Sequence, residues 1–369
     1  MTRAPSVILS AVIMTHPRRL DAALALQSRH PGLDLRIVMD PDPEGPPSAW
    51  RTARVAWAAV SPRATHHLVL QDDVATAGDF EERVLKLVAA RPKDAISLFV
   101  EWGSRTATAA RLAAATDADW TAVVDDYVPT VGLVVPADVA RGLDEFAASR
   151  STTDVPDDVV LFEYLRSAGI ETIAPVDGPL QHDSEDSLVG NSIMGIRRAV
   201  RFTDRLDRPV GGFVFRPTVV PYYDWWDQQA ALFVPDSASA DGWRRLRSEP
   251  AFALLEISRD VADRTFEDWS RALVDRDELS DTVSAIIQRE LWRTAYLIGV
   301  ALGGLSPVPR ALESVRVGEA LRTLGPGGLR RIVPVHRLDA VTSLLQPLVA
   351  AGTHAGLEAG MARLEPAQR

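Results

Sequence analysis

Short apolar runs alternate with helix-periodic stretches through the first 175 residues of the chain. Residues 7–14 read as a buried strand, and 18–29 as a helix with Leu20, Leu24 and Leu26 turned inward. Residues 33–39 form a second strand candidate closed by Asp40. The Pro-Asp-Pro-Glu-Gly-Pro-Pro stretch at 41–47 can only be loop, because proline denies a ladder its hydrogen bonds. Ser48 is placed to cap a helix running to about residue 60. A third strand, 67–71, ends in Asp72-Asp73. Asp79 is placed to cap a helix over 80–90, and a fourth strand spans 95–100. Further strands are expected at 120–128 and 131–135, with Pro129-Thr130 between them. A short helix opens at 136–138, a polar loop covers 151–158, a helix closed by Gly169 spans 159–168, and a last strand spans 171–175. Strands alternating with helices argue for an α/β layer architecture with a largely parallel sheet. Such sheets bind ligands beyond the carboxyl ends of their strands. Thr15, Asp40 and Asp72-Asp73 all stand at such ends.

Near residue 217 the pattern changes. An aromatic-rich stretch at 221–227 is followed by long helical patterns at 252–274 and 279–302 and, after Pro307-Val308-Pro309, at 311–324 and 338–364. The expected organisation is an α/β domain over 1–215 and a mostly helical domain, without strand alternation, over 216–369. Helical spacing of apolar residues in the second part implies a packing partner. It is the first domain, a second copy in a homo-oligomer, or an acceptor carrier. The apolar stretch 295–305 is about half of the roughly 20 residues a spanning helix needs. The run at 7–14 lacks the length and cleavage site of a signal peptide. No transmembrane segment and a cytoplasmic location are therefore expected.

Composition narrows the chemistry. The 369 residues are 46% hydrophobic and 24% charged, enough apolar material for a full core. Cysteine is absent, which removes disulfides, thiol nucleophiles and Cys-ligated zinc. A net charge of -10 argues against general nucleic-acid binding and leaves room for a phosphate-bearing small ligand. No Gly-rich phosphate loop of the Walker or dinucleotide type is present.

The adjacent acids at the end of the third strand need a positive partner once they leave water. A divalent cation of the Mg2+ or Mn2+ kind prefers such oxygens and keeps places for substrate phosphate. The alternative is a solvated turn with one acid capping the next helix. The stretch Leu68-Val69-Leu70-Gln71-Asp72-Asp73-Val74 resembles the metal-holding acidic motif of GT-A fold glycosyltransferases, with Gln71 where many members carry an acid. Two further stretches are similar to that family in the same order: Val155-Pro156-Asp157-Asp158, and Pro179-Leu180-Gln181-His182 continuing through Ser187 to Asn191.

The resemblance implies a Rossmann-like mixed sheet flanked by helices, Mn2+ or Mg2+ as cofactor, and a UDP-, GDP- or TDP-sugar donor with an acceptor hydroxyl or amine. Carried over, Asp73 and His182 hold the metal, Asp72 turns toward ribose or sugar, and Ser187 and Asn191 contact phosphate or acceptor. Thr15, Arg18, Asp40 and Arg54 line the donor, with Arg51 one helical turn from Arg54. Asp157 or Asp158 takes the acceptor proton. Each has a plainer reading beside it: helix-start acids at 157–158, surface arginines, a loop-packing histidine. Trp102 and the Trp225-Trp226 pair offer flat faces for a sugar or for packing. Two rival functions remain: a nucleotidyltransferase acting on a sugar phosphate, and a catalytically inactive scaffold of the same fold.

Overall fold

The computed structural model describes residues 7–149, 155–182, 191–273, 276–305 and 312–364. The chain divides into two compact units. The first comprises residues 1–100, 119–193 and 202–214; the second comprises 101–118, 194–201 and 215–369.

In the first unit β1 (Leu9–Thr15), α1 (Leu20–Arg29), β2 (Arg36–Met39), α2 (Ala49–Ala58) and β3 (His66–Gln71) follow the expected alternation. The short strand β4 (Val74–Thr76), α3 (Phe80–Ala90) and β5 (Ala95–Ser97) come next. Ser48 caps α2 by accepting from the Arg51 amide. Asp79 stands at the start of α3 but does not cap it, because its carboxylate accepts from Arg83 and from the Leu206 amide. The strand expected at 95–100 ends at Ser97, and the helix that follows, α4 (Arg105–Ala115), is in the second unit. All eleven α4 residues are buried, so it carries no polar face and no helical period in sequence.

Next come β6 (Trp120–Ala122), β7 (Gly132–Pro136), α5 (Ala137–Ala148), α6 (Asp157–Ser167), β8 (Thr172–Pro175), β9 (Leu180–His182) and β10 (Val214–Phe215). The largely parallel sheet expected from strand–helix alternation is corrected, and the sheet is mixed, as the family resemblance implies. Its eight strands stand in the order β10-β6-β8-β5-β7-β3-β1-β2. β1 pairs parallel with β2 and β3, and β5 with β8, whereas β7 runs antiparallel to both β3 and β5 and β6 antiparallel to β8. An apolar strand buried on both faces carries no mark of its direction, which is why periodicity did not distinguish the two. Trp50, Trp57, Val69, Leu133, Leu143 and Leu161 belong to one core cluster, drawn from the sheet and from α2, α5 and α6. His67 lies in this interior, its ring nitrogens against Ser10 Oγ at 3.1 Å and the Ala56 carbonyl at 2.9 Å. Burial lowers its pKa, so the ring is neutral and structural.

The second unit is mostly helical but contains an antiparallel sheet that the helical reading of 216–369 did not include. It is formed by β11 (Val220–Asp224), β12 (Gln229–Pro235) and β13 (Trp243–Arg247). The helices are α7 (Ser248–Leu254), α8 (Arg259–Ala272), α9 (Arg276–Thr282), α10 (Ala285–Gly303), α11 (Val315–Arg322), α12 (Leu324–Leu329) and α13 (Leu338–Leu364). The apolar stretch of α10 is a buried helix. Among the described residues no helix is long and apolar enough to cross a membrane.

α10 and α13 lie side by side and parallel. A Cβ at Gly299 would strike the Thr353 carbonyl and at Gly356 the Tyr296 carbonyl, while Cβ atoms at Gly303 and Gly360 would come within 2.8 Å of facing backbone. Backbones this close leave no room for a side chain. Gly318 in α11 has nothing within 4 Å of the same position. Alanine in an open helix stabilises over glycine by about 0.5–1 kcal/mol, and overpacking costs about 1–3 kcal/mol. Gly318→Ala is therefore expected to raise the urea midpoint and Gly356→Ala to lower it. Equal effects of the two would contradict the close packing of α10 on α13.

Candidate functional site

Three parallel strands end together. The register pairs Thr15 with Met39 and Met14 with Gln71, so Thr15, Asp40 and Asp72 close neighbouring strands β1, β2 and β3. The Asp40 amide donates to the Thr15 carbonyl at 2.9 Å. The Thr15 hydroxyl donates to Asp72 Oδ2 in a short hydrogen bond. Thus the expected positions Thr15, Asp40 and Asp72 do come together on one sheet edge.

Past Thr15 the chain turns sharply. His16 Nδ1 accepts from the Arg18 amide at 3.1 Å, which leaves the proton on Nε2 to donate to the Pro43 carbonyl at 3.2 Å. Pro17 then opens the 3-10 turn Pro17–Arg19, where the fixed proline φ suits the first position. This turn presents Arg19 to the acids and leaves Arg18 exposed. A single guanidinium nitrogen, Nη1 of Arg19, lies 2.7 Å from Asp73 Oδ2 and 3.3 Å from Asp72 Oδ1. The Arg18-Arg19 pair was noticeable in sequence. What separates its members is the turn, and only Pro17 signals it.

β4 and β9 form a separate two-stranded antiparallel ladder in which Val74 faces His182. That pairing sets His182 Nε2 3.4 Å from Asp73 Oδ2. Gly132 of β7 makes room for the ladder. A Cβ there would strike Leu180 of β9 and come within 3.0 Å of Leu70 of β3. So two residues 109 positions apart, Asp73 and His182, are brought into contact.

The two acids differ electrostatically. Burial pushes the pKa of Asp72 upward; the Thr15 hydrogen bond opposes this, the charge of Asp73 adds to it, and Arg19 offsets it in part. Burial acts the same way on Asp73, but His182 and Arg19 together outweigh it and hold that carboxyl well below the usual range. Asp73 Oδ1 is buried and accepts no hydrogen bond.

The other expected donor contacts are committed elsewhere in the unit. Arg51 forks onto Asp40 through Nε and Nη2, both at 2.7 Å, and these hydrogen bonds lower the Asp40 pKa despite its burial. Arg54 pairs with Asp144 at 2.6 Å on the exposed face. Both arginines line a cleft of about 720 Å3 with Pro41, Pro47, Trp50 and Val55. Asp157 and Asp158 open α6, where the helix dipole favours acids, and Asp157 is buried. The Asp158 carbonyl accepts from the Val128 amide, and the same 128–131 segment takes the Gln71 amide at Val131 and the Gln71 side chain at Thr130. Ser187 lies outside the described residues. Asn191 begins a 3-10 turn, Asn191–Met194, and its side chain lies outside them too.

Among the described residues no three His, Asp or Glu side chains converge as a metal cage. A hard divalent ion often needs only one or two protein ligands when a phosphate supplies the rest. The buried, unbonded Oδ1 of Asp73, with His182 beside that carboxylate, fits such a two-ligand arrangement. No protein-family model matches the chain, and no curated protein matches it.

The opposed pKa directions fix a stability experiment. The contribution of Asp73, whose folded pKa is depressed, is complete above the unfolded value of about 4 and is lost as pH falls through the folded value. Asp72, with a raised folded pKa, costs stability when ionised and stops costing it as pH falls. Asp73→Asn is therefore expected to lose roughly 1.5–3 kcal/mol in urea unfolding at pH 7, and distinctly less at pH 3. Asp72→Asn is expected to lose less than Asp73→Asn at pH 7. The reverse order would contradict the assignment.

Proposed function

We propose that the protein is a GT-A-type glycosyltransferase that moves a sugar from a nucleoside-diphosphate donor to an acceptor hydroxyl or amine with the help of Mn2+ or Mg2+. The observation that carries this reading is the meeting of Asp73 and His182, 3.4 Å apart, beside Asp72 and Thr15 at the carboxyl edge of three parallel strands. That edge is where α/β sheets receive nucleotides. An acid pair with a histidine and an arginine suits a bound cation and diphosphate better than it suits a hydrolytic carboxylate pair.

When bound, the metal neutralises charge on the departing diphosphate as a Lewis acid. Asp73 and His182 would be the side chains that hold it. Thr15 fixes the Asp72 carboxylate by hydrogen bonding, leaving Asp72 to orient ribose or sugar. Asp40, held by Arg51, borders the nucleoside side of the edge. Asp157 or Asp158 receives the proton that the acceptor gives up. The second unit is proposed to engage the acceptor or a second copy of the chain.

The deciding assay incubates the full chain with UDP-, GDP- and TDP-sugars and Mn2+ and measures released nucleoside diphosphate. Slow donor hydrolysis is expected, abolished by EDTA and reduced on the order of 100-fold by Asp73→Ala. Pyrophosphate release from nucleoside triphosphates with a sugar phosphate would instead mark a nucleotidyltransferase. Absence of any nucleotide binding would leave a non-catalytic scaffold.

A further inference from the structure

The acid pair already has a positive partner inside the chain. Arg19 Nη1 touches both carboxylates from one position, within 2.7 Å of Asp73 and 3.3 Å of Asp72. All three side chains are at least four-fifths removed from solvent. This is the place an acid pair offers to a cation, and a guanidinium stands in it.

The arrangement is nevertheless incomplete. One guanidinium serves two carboxylates, and Asp73 Oδ1 accepts nothing. Arg19 shares Asp73 Oδ2 with His182 and leaves the second oxygen unused. Most buried carboxylate oxygens have a donor, so an open one in an ion pair calls for an explanation. From this we infer that Arg19 is the built-in counter-ion of the acid pair. It holds Asp72 and Asp73 in the nucleotide-free protein, competes with a divalent cation for Asp73, and is released to the donor diphosphate when the cation enters.

This inference rests on the transferase reading and adds a coupling to it. Two positive charges beside one carboxylate repel, so an arriving divalent cation weakens the hold of the acids on Arg19. The planar fork of the freed guanidinium matches phosphate oxygens. Cation and nucleotide then each strengthen the binding of the other by the same factor, because coupling between two ligands is reciprocal.

The test measures Mn2+ binding to the full chain by electron paramagnetic resonance and calorimetry, with and without UDP, GDP or TDP. The wild-type protein is expected to bind Mn2+ weakly alone and at least about fivefold more tightly with a diphosphate present. Arg19→Gln is expected to bind Mn2+ alone roughly tenfold more tightly than wild type, with weaker diphosphate binding and little coupling. Arg19→Lys keeps the charge and is expected to retain the wild-type Mn2+ affinity.

An Arg19→Gln affinity for Mn2+ equal to or below wild type would overturn the inference. So would independent binding of Mn2+ and diphosphate to the wild-type chain, a measurement that needs no variant. In both cases the transferase reading survives. Failure of the wild-type chain to bind any of the three diphosphates, with or without Mn2+, would remove that reading and the inference together.

Discussion

Two carboxylates at the end of one apolar strand cannot leave water without positive charge or hydrogen-bond donors to meet them. The first unit is arranged around that demand. β1 supplies the Thr15 hydroxyl for Asp72, the turn after β1 supplies Arg19 for both acids, and the β4–β9 ladder supplies His182 for Asp73. The solutions differ for the two residues. Asp72 is mainly burdened by burial, and Asp73 is overcompensated by its partners. Neighbouring carboxylates pushed in opposite directions are suited to different tasks. A single Gly132 at the rear of the arrangement lets Leu180 settle against Leu70, and with it the strand that carries His182.

Much of this edge was legible in sequence because strand ends leave a local mark. An apolar run that stops at a polar residue identifies Thr15, Asp40 and Asp72 without any knowledge of their neighbours. The partner of each acid is a long-range fact. Arg18 and Arg19 are chemically identical in sequence, and only the proline-initiated turn separates an exposed side chain from one that meets the acids. Arg51 reads as a companion of Arg54 one helical turn away until the ladder of β1 on β2 shows Asp40 within its reach. His182 was accessible through a resemblance of loops, but its distance from Asp73 depends on a three-residue ladder too short to announce itself by alternation.

The fold was legible where elements are half-buried and obscure where they are wholly buried. α2 and α3 have one polar face and read clearly, with Ser48 marking the start of α2. α4 is buried on every side, and its Arg-Thr-Ala-Thr-Ala-Ala-Arg stretch resembles no amphipathic pattern. Its Arg111 illustrates the cost of that environment. Fully enclosed, it donates to the Ala320 and Trp102 carbonyls and to the Thr323 hydroxyl, and burial lowers its pKa to about 9. The β11–β13 sheet was hidden for another reason. Its strands carry prolines, paired aromatics and runs of arginine in place of clean alternation.

The chain passes between its two units at residues 100/101, 118/119, 193/194, 201/202 and 214/215. Threading of this kind means that neither half is a cassette. Severing the polypeptide near residue 215 would strip the helical half of α4 and strand that helix, with its burying partners gone, inside the other fragment. A single cut near residue 215 therefore does not separate the two units, and a simple fusion at that point would not exchange either of them whole.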